Sequence, residues 1–181
     1  MTRKKTDVIV VGTGAAGLYH ALHLPETVNV WMITKEEVDC SDSFLAQGGI
    51  CMLRDEDDFD GYMEDTMRAG HYENDKKSVE IMIRASRQVA EELLQYGVEF
   101  ERDEDGLIFT REGGHCRPRI LFHKDITGRE ITGTLLERAR ERKNITILEH
   151  TMMVDILADD AGCYGIVAKM PDGSMQEIRA K

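Results

Sequence analysis

The stretch VIVVGTGAAG, residues 8–17, decides the fold. Val8, Ile9, Val10 and Val11 form a short, unbroken apolar run, the pattern of a strand covered on both faces in a parallel sheet. Gly12, Gly14 and Gly17 then fall as G-x-G-x-x-G, and residues 15–24 carry helical spacing. A second apolar run at 28–33 completes a βαβ opening. In such a unit the first glycine makes the tight turn and the second lets backbone approach a pyrophosphate at the helix N-terminus. The third permits close packing of helix on strand. The context of strand, glycine turn and helix makes this a dinucleotide-binding fingerprint, with Gly12, Thr13, Gly14, Ala15, Ala16 and Gly17 as its binding residues. The fingerprint wants an acid for the ribose at the end of the second strand. Thr34-Lys35 stand there instead, with Glu36 and Glu37 just beyond, which argues against a simple NAD site.

Outward from this opening, residues 43–51 read as a loop with a short helix. Residues 58–69 read as a helix opened by acids, and the acidic run DEDD at 55–58 as its solvated start. Val79, Met82, Ile83, Ser86, Val89, Ala90, Leu93 and Leu94 keep a 3–4 spacing that predicts an amphipathic helix over 76–95, ended by Gly97. Runs at 98–102 and 107–110 flank a DEDG turn and predict a hairpin. Thr127-Gly-Arg-Glu130 has capping-box spacing and predicts a helix to about residue 142. Strands follow at 145–148, 151–158, 164–170 and 175–178, the last two joined by Pro171-Asp-Gly. The N-terminal MTRKK reads as a basic tag.

The chain has 181 residues, enough for one domain that buries roughly 70% of its unfolded surface. A formal net charge of −11 argues against nucleic acid or an anionic membrane as partner. No apolar stretch approaches the roughly 20 residues of a membrane span, and the apolar run at 8–11 is too short for a signal peptide. Cys40, Cys51, Cys116 and Cys163 are dispersed, as expected of reduced thiols in a cytoplasmic protein. His20 and His23 lie at i, i+3 on the first helix, but no third ligand completes a metal set, so no metal is expected. The chain stops just after a strand, at RAK, which reads as residues 1–181 of something longer.

One loop stands out against the acidic background. FTREGGHCRPR at 109–119 sets Glu112 before two glycines and amid Arg111, His115, Arg117 and Arg119. Taken alone it is a solvated turn, a phosphate cradle or a substrate anchor. His115 beside Cys116 reads poorly as a nucleophile pair, because adjacent residues rarely face each other.

Thr34-Lys35 and SDSFLAQGGI at 41–50, after the glycine fingerprint, resemble the flavoprotein family of succinate dehydrogenase, fumarate reductase and L-aspartate oxidase. The resemblance continues through TREGGH and the D-x-TGRE segment at 125–130, so it covers essentially the whole chain. It implies an α/β fold: the N-terminal portion of a Rossmann-like FAD-binding domain with a parallel sheet, a helical excursion and a β-meander. The capping and C-terminal helical domains are then expected outside this chain. It implies FAD held by the glycine turn, Lys35, Asp42, Ser43, Phe44, Leu45, Ala46, Gln47, Gly48 and Gly49. Gly48 and Gly49 let backbone lie close to the isoalloxazine, Ser43 or Gln47 meets its polar edge, and Met152 and Met153 lie on the adenine side. Covalently flavinylated members carry a histidine four residues before the motif's alanine. Asp42 stands there, which implies non-covalent FAD and favours the aspartate oxidases.

In those oxidases the acid of TREGGH meets the substrate's ammonium group, so Glu112 is the expected substrate-binding residue. Succinate and fumarate have no amine to pair with a dehydrated carboxylate. The implied reaction oxidises L-aspartate to iminoaspartate, with oxygen or fumarate reoxidising the flavin. The product passes to quinolinate synthase in NAD biosynthesis. No catalytic residue is expected in this chain, which alone is expected to be inactive, because the catalytic arginine belongs downstream. The alternatives are a fumarate reductase-like flavoprotein and a non-catalytic FAD-binding module.

Overall fold

A computed structural model describes residues 2–181. In chain order its elements are β1 (Thr2–Lys5), β2 (Val8–Val11), α1 (Ala15–His23), β3 (Val30–Ile33), α2 (Asp42–Leu45), β4 (Ile50–Cys51), α3 (Phe59–Ala69), α4 (Lys76–Tyr96), β5 (Arg102–Asp103) and β6 (Gly106–Leu107). They continue as β7 (Ile120–Leu121), α5 (Thr127–Glu141), β8 (Ile145–Leu148), β9 (Met152–Asp159), β10 (Gly162–Lys169) and β11 (Met175–Arg179). The chain divides into two compact units. The first runs up to Leu45 and resumes at Thr132–Lys181; the second is Ala46–Ile131.

The first unit holds two sheets. One is parallel, in the order β2-β3-β8, with Val8–Val11 registered against Val30–Ile33 and those against Ile145–Leu148. The central strand β3 is the most buried of the three because it is flanked by a strand on each side and covered on both faces. Val30, Met32 and Ile33 are all buried. The other sheet has the order β1-β11-β10-β9. Its antiparallel part is the anticipated meander. Ile33, Ile166, Ala168 and Ile178 form a buried cluster with Ile9, Trp31, Leu148 and Met170 packed around it.

The basic tag is not a tag. Thr2–Lys5 forms β1, pairing in parallel with Gln176–Arg179 of β11. Lys and Arg on an edge strand keep their charged ends in water while the backbone completes the ladder. Arg3 also meets Glu177 at 3.1 Å.

The second unit is the helical excursion. Asp75 opens α4 by accepting from the Ser78 N–H at 2.7 Å. The 3–4 stripe buries Val79, Ile83, Ser86, Ala90 and Leu93. Leu53, Tyr62, Val79 and Ile83 make this unit's own core. The hairpin around the DEDG turn is present but short, with only Arg102–Leu107 and Asp103–Gly106 paired. Helix α5 starts at Thr127 as expected, yet the two capping-box side chains serve the preceding loops. Thr127 Oγ1 accepts from the His123 N–H at 2.9 Å, and Glu130 Oε1 from the Glu99 N–H at 2.9 Å.

Candidate functional site

Strands β2 and β3 end at Val11 and Ile33, and there the first unit opens a cleft of about 530 Å3. Gly12, Thr13, Gly14, Ile33, Thr34, Lys35, Glu36, Cys40, Ser41, Asp42, Thr151, Met152 and Met153 line it together with Val11. Its place at the carboxyl ends of parallel strands is where open α/β sheets bind ligands. The turn takes its shape from glycine: Gly12 has φ +102°, a conformation that side chains resist. Gly12 N–H donates to the Ile33 carbonyl at 2.8 Å, tying the turn to β3. Thr13 is buried, its hydroxyl donating to the Val38 carbonyl at 3.2 Å.

Helix α1 begins at Ala15 behind Gly14, which offers no side-chain cap. Its first backbone bond runs from Leu18 N–H to the Gly14 carbonyl at 3.1 Å. The N–H groups of Ala15, Ala16 and Gly17 are therefore left for an anion, and Lys35 adds a positive charge to the same cleft. That donor set fits a dinucleotide pyrophosphate. Gly17 is required by packing, since a Cβ there would strike the Gly12 carbonyl oxygen and touch Val10 Cγ1 at 3.3 Å. A glycine-to-alanine change inside an ordinary helix stabilises it by about 1 kcal/mol. Here Gly17→Ala should lower the melting temperature and weaken flavin binding together, as followed by thermal unfolding and by quenching of flavin fluorescence. A Gly17→Ala variant more stable than the parent would show that the helix can retreat from the turn without cost.

Other expected flavin residues fall into distinct places. Asp42 lines the cleft at the start of α2, while Ser43, next to it in the same helix, does not line it. A Cβ on Gly14 would meet Ser43 Oγ at 3.0 Å, so the Ser43 side chain by itself favours glycine at this position. The Phe44 N–H donates to the carbonyl of Ser41 at 2.9 Å, and Leu45 is exposed. Met152 and Met153 are exposed on the cleft and not core residues. Val11, Ile33, Thr34, Glu36, Cys40, Ser41 and Thr151 join the lining without having been singled out as cofactor residues. For Thr34 and Ser41 the signal was their position beside Lys35 and Asp42.

Ala46, Gln47, Gly48 and Gly49 belong to the second unit. The Ala46 carbonyl accepts from the Gly128 N–H at 2.9 Å, and Gln47 is exposed. Around Gly48 there is open space. A Cβ on Gly49 would strike Ile120 Cγ2 and the Leu121 carbonyl oxygen, so β7 accounts for this glycine whatever else approaches it.

The charged loop divides. Arg111, Glu112 and Arg117 are exposed, whereas Arg119 is wholly buried. All five guanidinium N–H groups of Arg119 find acceptors. Nε and one terminal nitrogen bind Asp58 at 3.0 and 2.7 Å, and the other terminal nitrogen binds Asp65 Oδ2 at 2.7 Å. The remaining two reach His115 Nδ1 at 3.2 Å and Cys116 Sγ at 3.3 Å. The Tyr62 ring stacks below at 4.8 Å. Asp65 also accepts from the Cys116 N–H at 2.6 Å and from Arg68 at 2.7 Å. Burial opposes ionisation of Asp65, but the hydrogen bonds from Cys116 and Arg119, with the Arg119 charge, overcome it and hold the carboxyl below the usual carboxylate range.

Residues 55–57 of the acidic run are exposed, as a solvated helix start requires, but Asp58 is not. Asp55 caps the turn by accepting from the Asp58 N–H at 2.9 Å, and Asp58 is 1% exposed beneath Arg119. Buried charge needs a partner of opposite sign, and that partner lay far along the chain. His115 and Cys116 form no nucleophile pair. Nε2 of His115 instead meets Cys51 Sγ at 3.7 Å. Burial, together with the Glu112 charge, pushes the half-buried Cys51 thiol up. Gly113, Gly114, His115, Cys51 and Tyr62 border a second cleft of about 490 Å3 within this unit. Glu112 makes no ion pair with Arg111 among the described residues.

Among the described residues no cluster could hold a metal ion, and His23 Nδ1 lies 2.8 Å from the Tyr19 carbonyl within α1. Among the described residues no helix is long and apolar enough to cross a membrane, and Cys40, Cys51, Cys116 and Cys163 are free.

Comparison with known proteins matches residues 7–181 to the FAD binding domain family. The chain is 42% identical over 179 residues to an L-aspartate oxidase of Clostridium perfringens, covering 99% of this chain and 40% of that protein. An L-aspartate oxidase of Clostridium acetobutylicum is 40% identical, with 91% and 38% covered. Among solved structures, a variant of E. coli quinol fumarate reductase aligns with a TM-score of 0.92 at 27% identity, covering 99% of this chain and 32% of that one. The chain therefore spans about two-fifths of the length of the curated relatives it matches. A glycine turn with open helix N–H groups, a lysine-bearing cleft at the strand ends and a family match over nearly every residue agree: the chain belongs to the FAD binding domain family, and its cofactor is FAD.

Proposed function

We propose that the chain is the N-terminal portion of the FAD-binding domain of an enzyme that oxidises L-aspartate to iminoaspartate, reoxidised by oxygen or fumarate. The observation that carries this reading is the loop at 111–115. Its exposed acid, Glu112, has no ion-pair partner among the described residues, while the loop is anchored from beneath by Arg119. The names of the curated relatives support it. FAD, when bound, supplies the two-electron acceptor for the Cα hydrogen of the substrate.

The chain's own residues divide the work. N–H groups of Ala15, Ala16 and Gly17, with Lys35, neutralise the pyrophosphate, and Met152 and Met153 offer an apolar wall to the adenine. By the resemblance, Ala46, Gln47, Gly48 and Gly49 hold the isoalloxazine end. Glu112 takes the substrate ammonium. The product, an iminodicarboxylate, would pass to quinolinate synthase in NAD biosynthesis in the cytoplasm. The decisive assay gives the full-length enzyme L-aspartate, succinate and fumarate in turn. Aspartate oxidation supports the reading; fumarate reduction without it replaces it with a fumarate reductase.

The covalent link in flavinylated relatives needs an imidazole, and a carboxylate such as Asp42 cannot replace it. The yellow colour should therefore leave the polypeptide on denaturation with acid or guanidinium. Colour that stays with the precipitated chain would overturn non-covalent binding.

A further inference from the structure

His115 borders the second cleft and is not used by the reading above. A guanidinium has only donors. The 3.2 Å contact from Arg119 therefore requires His115 Nδ1 to accept, and the ring proton to sit on Nε2. Nε2 is the nitrogen that faces Cys51 Sγ at 3.7 Å, on the wall of the cleft. The Arg119 nitrogen involved cannot turn away, because it is also held by Asp65 at 2.7 Å, and the whole side chain is buried. The loop itself is tied down on the same side. Cys116 N–H donates to Asp65 at 2.6 Å and Arg68 to the Gly114 carbonyl at 3.3 Å. The resting partner of the Nε2–H is a neutral thiol, a weak acceptor, because burial pushes Cys51 up. A carboxylate oxygen would bind that N–H far better than sulfur does.

We propose that Arg119 is a positioning residue that fixes His115 as an Nε2–H donor on the second cleft, and that this N–H binds a carboxylate oxygen of the substrate. The carboxylate part rests on the dicarboxylate reading given above. Glu112 and His115 then divide one ligand between them, three residues apart on one loop. The acid takes the ammonium that only aspartate has, and the imidazole takes a carboxylate that aspartate and succinate share.

The test uses the full-length enzyme with histidine labelled in nitrogen-15. Long-range proton–nitrogen spectra should report the Nε2–H tautomer for His115, assigned by its loss in His115→Gln. The Nδ1–H tautomer in the wild type would overturn the positioning role. Succinate binding supplies the second readout. His115→Phe should weaken it roughly 10- to 150-fold, the range for a lost hydrogen bond to a charged group. His115→Gln, whose amide nitrogen falls near Nε2, should restore most of it, while His115→Asn, which mimics Nδ1, should not. Equal weakening by all three variants, or no dicarboxylate binding at all, would overturn the donor role. An enzyme that binds succinate through His115 yet leaves aspartate unoxidised supports this inference and overturns the aspartate reading alone.

Discussion

Glu112→Gln in the full-length enzyme should lower kcat/KM for L-aspartate by about 10- to 150-fold while leaving fumarate reduction nearly unchanged. The substitution keeps the size and hydrogen-bonding shape of the side chain and deletes its charge. Hydrogen bonds to charged groups are worth roughly 1.5–3 kcal/mol, which converts to that range of rate. Fumarate has no ammonium group, so its reduction should be indifferent to the change, or improved by the loss of an anion near a dianion. The exposure of Glu112 keeps this comparison free of folding effects, because no buried partner depends on it. Parallel rate measurements with both substrates decide the matter. A fall in both activities would make Glu112 a shaper of the loop, and no change in either would return it to a solvated acid.

Replacing Arg119 by methionine should have the largest effect on stability. The substitution leaves Asp58 and Asp65, 1% and 4% exposed, without their shared cation. Breaking a buried pair by removing one partner costs roughly 3–5 kcal/mol. At about 2–4 °C per kcal/mol for a chain of this size, the melting temperature should fall by roughly 6–20 °C. The dependence on pH should change as well. Asp65 is held below its ordinary range in the folded state. Its stabilisation is therefore complete above the ordinary carboxylate range and is lost as pH falls through that range toward the depressed folded value. Without Arg119 the lowering weakens, so the variant's stability should fall less steeply on acidification. Thermal unfolding of both proteins from neutral pH down to about pH 3 reads both effects. An unchanged melting temperature would mean that the two acids accept protons or water at little cost.

Much of the first unit was legible because its signals are local. A β-branched run, a G-x-G-x-x-G turn and a helical stripe lie within sixteen or so residues, and each restricts the backbone where it stands. The 3–4 stripe of α4 and the turn at Pro171-Asp-Gly were readable for the same reason, and AQGGI and TREGGH carried the family. Exposed Glu112 could be assigned a role only through that resemblance, since nothing near it in sequence distinguishes it from a solvated acid.

What only the tertiary structure decided concerns partners distant along the chain. Whether Asp58 faces water or Arg119 depends on how the loop at 109–119 lies over α3, and no periodicity encodes that meeting. Thr2–Lys5 looks like a basic tail because its charges are local, but its strand partner, β11, comes at the other end of the chain. That Gly49 must be glycine for packing, whatever else its backbone approaches, is visible only once β7 is seen to occupy the space its Cβ would need. The proton position on His115 is set by a guanidinium that can only donate, so it follows from one contact in three dimensions and from nothing in the spacing of the sequence.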